Sequence, residues 1–357
     1  MNTTHATTYW QSLDGGRVRC DLCPRECTLA EGQRGLCFVR RNDNGAVVLT
    51  TYGRSSGFCI DPIEKKPLSH FYPGTPVLSF GTAGCNLTCR FCQNWDISKS
   101  REMDTLAGVA APEAIAAAAV RHSCRSVAYT YNDPVIFLEY AVDVAQACRE
   151  RGVLSVAVTA GYINALPRRE FFRFMDAANV DLKAFSASFY KKLCSADLAT
   201  VQDTLRYVRH ETNVWLEITT LLIPGENDSD AELDAMTRWI ERELHRDIPL
   251  HFTAFHPDYN MRDHAATPAS TLTRARRIAM NNGLRYVYTG NVRDVAGAST
   301  LCPSCGCAVI ARDGYSIIAW NLDARGCCAR CGTSISGRFA PTPGTWGSRR
   351  LPVTIGV

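Results

Sequence analysis

The chain has 357 residues, 46% hydrophobic and 21% charged, with a formal net charge of +4. These proportions fit an ordinary globular protein, and so small a positive excess gives no electrostatic case for nucleic acid. No apolar run approaches the ~20 residues that span a bilayer, and the polar, Thr-rich first ten residues lack the basic start and apolar run of a signal peptide. Seventeen cysteines without an export signal argue for metal binding in a reducing cytosol, not for disulfides, so a cytoplasmic location is expected.

Four cysteines come early, as Cys20-x2-Cys23-x3-Cys27-x9-Cys37. Around them residues 1–75 show little periodicity and many turn residues, which predicts a small irregular module. Four thiolates so close together can close on one metal, and a completed site contributes the folding free energy such a segment needs. Structural zinc is the favoured occupant and an auxiliary iron–sulfur cluster its rival; spacing alone does not separate them. In Asp61-Pro62-Ile63-Glu64-Lys65-Lys66-Pro67-Leu68 the prolines argue against regular structure, and the charges fit a solvated loop.

From Val77 onward strand and helix signals alternate. Candidate strands are Val77–Gly81, Ser126–Thr130, Leu154–Thr159, Val180–Lys183, Val214–Leu222, Leu250–Phe255 and Tyr286–Tyr288, each rich in β-branched or aromatic residues. Helices are expected over Glu113–Val120, Val135–Arg151, Asp230–Leu244 and Leu272–Asn282. Repeated alternation predicts an α/β fold, a partial or near-complete (β/α) barrel over residues 76–297. Chemistry in such barrels sits at the C-terminal ends of strands.

The loop after the first barrel strand reads Gly84-Cys85-Asn86-Leu87-Thr88-Cys89-Arg90-Phe91-Cys92. Thiolates are soft ligands for iron–sulfur clusters or zinc. A four-iron cube ordinarily takes four cysteines; three leave one iron open, as catalytic metal sites leave a position for substrate. A zinc knuckle completed by a distant ligand is the alternative. After the second strand comes Tyr131-Asn132-Asp133-Pro134. Asn132 and Asp133 can accept from an ammonium, or simply turn the chain into the next helix. Asp181 and Lys183 share one face of the fourth strand; an inward pair of this kind is an internal salt bridge or a ligand contact. His256 fits a satisfied core histidine. Cys59, Cys124, Cys148 and Cys194 stand alone and fit small buried hydrophobes.

Near the end, Cys302-Pro303-Ser304-Cys305-Gly306 is answered by Cys328-Ala329-Arg330-Cys331-Gly332, the spacing of a zinc ribbon. Residues 298–357 are therefore expected to form a structural or docking module holding zinc on Cys302, Cys305, Cys328 and Cys331, with Cys307 and Cys327 spare.

The Cys85-x3-Cys89-x2-Cys92 triplet, with Phe91 before its last cysteine, resembles the signature of the radical S-adenosylmethionine enzymes. The resemblance implies that these cysteines hold a [4Fe–4S] cluster whose open iron chelates S-adenosylmethionine, for reductive cleavage to a 5′-deoxyadenosyl radical that abstracts hydrogen from a protein, peptide or small-molecule substrate. It further implies Phe91 against the adenine, Asn132 or Asp133 at the methionyl end, and Asp181 and Lys183 at the ribose or carboxylate. A Gly-Gly-Glu phrase usual in that family is missing here. The early cysteine group, Asp61–Leu68, the triplet loop, Tyr129–Pro134 and the terminal knuckles, in this order, resemble the radical member of the AmmeMemoRadiSam system, itself similar to pyruvate formate-lyase activating enzymes. That likeness runs from Cys20 to Arg338 and implies a flavodoxin or ferredoxin as electron donor, with Memo-like and AMMECR-domain proteins as companions. Two other functions fit the residues: an activase installing a glycyl radical on a partner, and a non-catalytic multi-zinc binding module.

Overall fold

Seven strands run parallel and in chain order, because helices between them return the chain to the same edge. The computed structural model describes residues 4–100, 106 and 108–355, so the outermost residues of both end segments lie outside it. The central sheet comprises β1 (Phe58–Pro62), β2 (Pro76–Phe80), β3 (Ser126–Tyr129), β4 (Leu154–Thr159), β5 (Ala177–Asp181), β6 (Trp215–Leu222), β7 (Leu250–Ala254), β8 (Val287–Gly290) and β9 (Leu351–Val353). Their order is β8-β7-β6-β5-β4-β3-β2-β1-β9. Strands β2 to β8 pair in parallel, whereas β1 is antiparallel to β2 and β9 to β1. The sheet ends on β8 and β9 and stays open.

The intervening helices are α1 (Pro112–Arg121), α2 (Leu138–Glu150), α3 (Ala165–Arg173), α4 (Leu198–Glu211), α5 (Asp230–Glu243) and α6 (Ala269–Asn281). α1 starts on a proline, whose missing N–H is no loss at a first turn. Ser229 caps α5 by accepting from the Glu232 amide, and Leu233, Met236 and Ile240 form its buried stripe. Every residue of β3 is buried, and β5, β6 and β7 also bury the polar Asn179, Glu217 and His251. Among the described residues no helix is long and apolar enough to cross a membrane.

Several expectations are corrected. The fourth barrel strand runs over Ala177–Asp181, beginning three residues before the expected Val180. Ala177-Ala178-Asn179 has little strand preference, but between β4 and β6 packing decides. The helix expected from Val135 opens instead as a 3-10 turn, Pro134–Phe137, capped by Asp133. The early residues are not irregular: they form two three-stranded antiparallel sheets, whose strands of two to four residues are too short to display alternation. Nor is Asp61–Leu68 a solvated loop. Asp61 and Pro62 finish β1, with Pro62 opposite Pro76 at the ladder's end, where missing N–H groups interrupt no pairing. Asp61 is fully buried between the ammonium groups of Lys65 and Lys66.

The C-terminal segment forms a small sheet of Thr300–Leu301, Ala308–Asp313 and Ser316–Trp320 that packs its own apolar cluster against Tyr286 and Tyr288. Arg312 fastens it from inside, donating to the Ser69 carbonyl at 2.7 Å and to Thr300 Oγ1 at 3.0 Å.

Candidate functional site

The C-terminal ends of the parallel strands converge on a cavity of about 340 Å³, within the range of small-molecule sites. Thr130 after β3 and Asn291 after β8 line the same space, so the sheet curves around it.

Cys85, Cys89 and Cys92 all face this cavity. Their loop is shaped by Gly84, whose φ of +79° suits glycine and whose added Cβ would overlap the Cys37 carbonyl. Asn132 ties the loop down: its Oδ1 accepts from the Thr82 amide at 3.0 Å, and its Nδ2 donates to the Gly84 carbonyl at 2.8 Å. Further along, the amides of Thr88 and Arg90 donate to the carbonyls of Cys194 and Leu193. Cys92 Sγ lies 3.0 Å from Ser98 Oγ. Hydrogen bonding with Cys194, aided by the Lys183 and Lys99 charges and opposed by burial, lowers the Cys89 thiol to about 6; burial pushes Cys85 up to about 12. Cys194 is buried behind Cys89 and does not line the cavity.

The other expected contact residues line the same cavity. Phe91 faces the cavity and packs on Phe189, ring centroids 5.6 Å apart. Lys183 Nζ sits 2.8 Å from Asp181 Oδ2, so the pair is an ion pair and a cavity lining at once. The Asp181 charge, with Cys89 and Cys194 beyond it, raises the Lys183 pKa despite burial. Asp133 accepts from Thr159 Oγ1 at 2.8 Å, the Ala160 amide at 2.9 Å and the Val135 amide at 3.1 Å; burial raises its pKa and these bonds oppose the rise. Most polar capacity of Asn132 and Asp133 is therefore spent on shaping the chain. His256 is exposed, not a core histidine, because β7 ends at Ala254 and the chain leaves the sheet before it.

Lys65, Lys66, Lys99 and Tyr131, to which the residue pattern assigned no site role, line the same cavity. Asp61 binds both Lys65 and Lys66 at 2.8 Å and accepts from the Tyr131 hydroxyl at 3.0 Å. Tyr131 holds a φ of +73°, strain of the sort found at functional sites. The available signal was the apolar run Phe58-Cys59-Ile60 leading into Asp61, which marks a strand entering the core.

The two end groups of cysteines differ in geometry. Cys302 and Cys331 bring their sulfurs to 3.5 Å and Cys305 and Cys328 to 3.8 Å. All four ligand atoms lie within 4.8 Å of one another, the only such group among the described residues. Zinc–sulfur bonds of ~2.3 Å in a tetrahedron put sulfurs about 3.8 Å apart, so this donor set fits zinc. Cys307 adds a fifth sulfur 3.4 Å from both Cys305 and Cys328. Cys20, Cys23, Cys27 and Cys37 instead line a small cavity with Arg40 and Asn86.

A model of the radical SAM superfamily matches residues 80–236. An uncharacterized protein of Methanocaldococcus jannaschii is 40% identical over 328 residues, 92% of this chain and 97% of that protein. Among solved structures, a domain of a pyruvate-formate lyase-activating enzyme from Bacteroides vulgatus aligns at 16% identity and a TM-score of 0.42, over 46% of this chain and 99% of that one. A radical SAM methyltransferase from Sphaerobacter thermophilus aligns at 17% identity and a TM-score of 0.49, over 61% and 67%.

Proposed function

The chain belongs to the radical SAM superfamily, sharing one family with the M. jannaschii protein, and on that premise we propose that it reductively cleaves S-adenosylmethionine and abstracts hydrogen from a protein, peptide or small-molecule substrate. The observation that carries this reading is the set of three cysteines from one loop facing a cavity at the strands' C-terminal ends, while Cys194, hydrogen-bonded to Cys89, does not line that cavity. Three cavity-facing thiols on a rigid loop fit a [4Fe–4S] cluster with one open iron. When bound, that cluster supplies the electron that splits the sulfonium.

The chain's own residues bind and orient. Asp181 takes ribose hydroxyls, Lys183 faces a carboxylate or the substrate, and Phe91 packs on the adenine. Asp133 has acceptor capacity left for the methionyl ammonium, while Asn132 fixes the loop that carries the cysteines. A low-potential donor such as flavodoxin or ferredoxin supplies the electron. The order of motifs from Cys20 to Arg338 supports membership of the AmmeMemoRadiSam system, with Memo-like and AMMECR-domain proteins as companions, and zinc at the terminal knuckles.

The test is 5′-deoxyadenosine formation by anaerobically reconstituted protein given dithionite and S-adenosylmethionine. Wild type is expected to produce it and Cys89→Ala to produce none. Product surviving that substitution overturns the assignment.

A further inference from the structure

We propose that Lys66, Asn179 and Thr219, within the large cavity, bind the substrate through a carboxylate and through an N–H or O–H group next to it. That the bound acid is the substrate rests on the function proposed above; the carboxylate site itself does not.

Two buried polar atoms carry the inference. Asn179 is fully buried and lines the cavity. Its Nδ2 donates to the Pro67 carbonyl at 2.8 Å. A carbonyl only accepts, so the amide is fixed with Oδ1 as its remaining acceptor. That oxygen has no hydrogen-bond partner among the described residues. Neither has Oγ1 of Thr219, which is 7% exposed and lines the same cavity. A buried polar atom left alone is costly, and a ligand that completes it removes the cost. The residue paired with Asn179 on β6 cannot help: Glu217 is taken up by the Ser69 and His70 amides, Trp215 and His251.

Charge selects the ligand. Asp61 answers two ammonium groups, Lys65 and Lys66, so one positive charge of the three is left over. Lys66 is the buried member of the pair. One of its three donors goes to Asp61, and its Nζ lies 4.8 Å from the Tyr131 ring centroid, which leaves a donor for a ligand. The bond from Asn179 to Pro67 ties the segment carrying Lys66 to β5. The ammonium and the Thr219 hydroxyl can each take one oxygen of a carboxylate, while Asn179 Oδ1 requires a donor. A phosphate would turn a further acceptor toward that oxygen. The three groups therefore fit an acid with N–H or O–H beside its carboxylate.

Position supplies the role. Asn179 stands two residues before Asp181 on the same face of β5, roughly 7 Å deeper along the strand. Thr219 is the ladder partner of Asp181 on β6. With Asp181 on the ribose, as proposed above, the acid lies on the inner side of the nucleoside.

The test uses the full chain, reconstituted anaerobically and left unreduced, and reads the rise in its thermal unfolding midpoint on adding ligand. The probes are lactate, glycine and N-acetylglycine, standing for a free hydroxy acid, a free amino acid and a peptide C-terminus. Each is set beside its own amide and beside inorganic phosphate. At least one acid is expected to raise the midpoint where its amide and phosphate do not, and the largest rise identifies the source. No acid exceeding its amide, or phosphate matching the acids, overturns the proposal. Thr219→Val is expected to keep or raise the ligand-free midpoint, because its hydroxyl has no partner to lose, and to weaken the acid about tenfold. The Asp61→Asn, Lys66→Met chain should weaken it at least as much; unchanged affinity in either variant overturns the site. Saturating S-adenosylmethionine should leave the acid's binding intact. Displacement would give the site to the methionyl carboxylate and overturn the substrate assignment. Wild type that makes no 5′-deoxyadenosine with dithionite defeats the function proposed above, while the shifts measured without S-adenosylmethionine still decide on the carboxylate site.

Discussion

Replacing Asp61 by asparagine tests whether the part of the cavity lined by Lys65 and Lys66 is built on a buried charge. Asp61 receives both lysine ammoniums at 2.8 Å. The Lys65 side chain is 33% exposed, and such a pair contributes about 0–1 kcal/mol. Lys66 is 3% exposed; stranding it without its partner costs about 3–5 kcal/mol, a large share of the ~5–15 kcal/mol that holds a domain together. Asp61→Asn is therefore expected to lower stability by about 3–5 kcal/mol in urea unfolding, with Lys66→Met in the same chain restoring most of it. The carboxyl also leaves a signature in acid. Burial alone would raise its pKa, but Lys66 and Lys65 outweigh burial and hold it at about 2 against 3.8. The unfolded chain thus takes up the proton first, so this stabilisation is complete above about pH 4 and fades as pH falls toward 2. That shift is worth about 2 kcal/mol, less than the variant's loss because it is net of burial. A variant losing under about 1 kcal/mol, or a double variant no better than the single, would refute the reasoning.

Gly84→Ala should disturb both cysteine groups at once, because its Cβ would meet the Cys37 carbonyl and its φ is +79°; iron content after reconstitution measures this, and normal content counts against the contact. Asn132→Ala leaves the Thr82 amide and the Gly84 carbonyl without their partner, at about 1–3 kcal/mol for each buried group. It should reduce cluster occupancy, whereas unchanged iron with weakened S-adenosylmethionine binding in calorimetry would make Asn132 a ligand contact instead. Stripping the metal proposed at the terminal knuckles with a chelator, or Cys302→Ala, should release the C-terminal sheet while the barrel retains its own unfolding transition. Limited proteolysis should then cut within residues 300–335 and spare residues 126–254; a barrel degraded in step would contradict this.

The strands were legible where β-branched and aromatic residues concentrate, so Leu154–Thr159 was found to the residue. Ala177-Ala178-Asn179 was missed, because its strand is made by neighbours on both sides. Cysteine spacing marked all three groups, since ligand spacing is a local property. Whether sulfurs are gathered or spread is not, and only the fold distinguishes the terminal knuckles from the early four. Asn132 and Asp133 were recognisable as polar residues at a strand end; their commitment to Thr82, Gly84, Val135, Thr159 and Ala160 depends on chain segments up to fifty positions away. Asp61 was misjudged for the same reason, as charge suggests solvent until the covering strands are known.

The strand β9, which lies along β1 through Leu351–Ile60 and Val353–Phe58 pairings, also serves as a shield. Without it, five consecutive buried residues from Phe58 to Pro62 would present an open ladder to any passing strand, the usual template for edge-to-edge aggregation. A chain shortened before Leu351 should therefore fail first by self-association, seen as concentration-dependent light scattering, even with every cysteine in place.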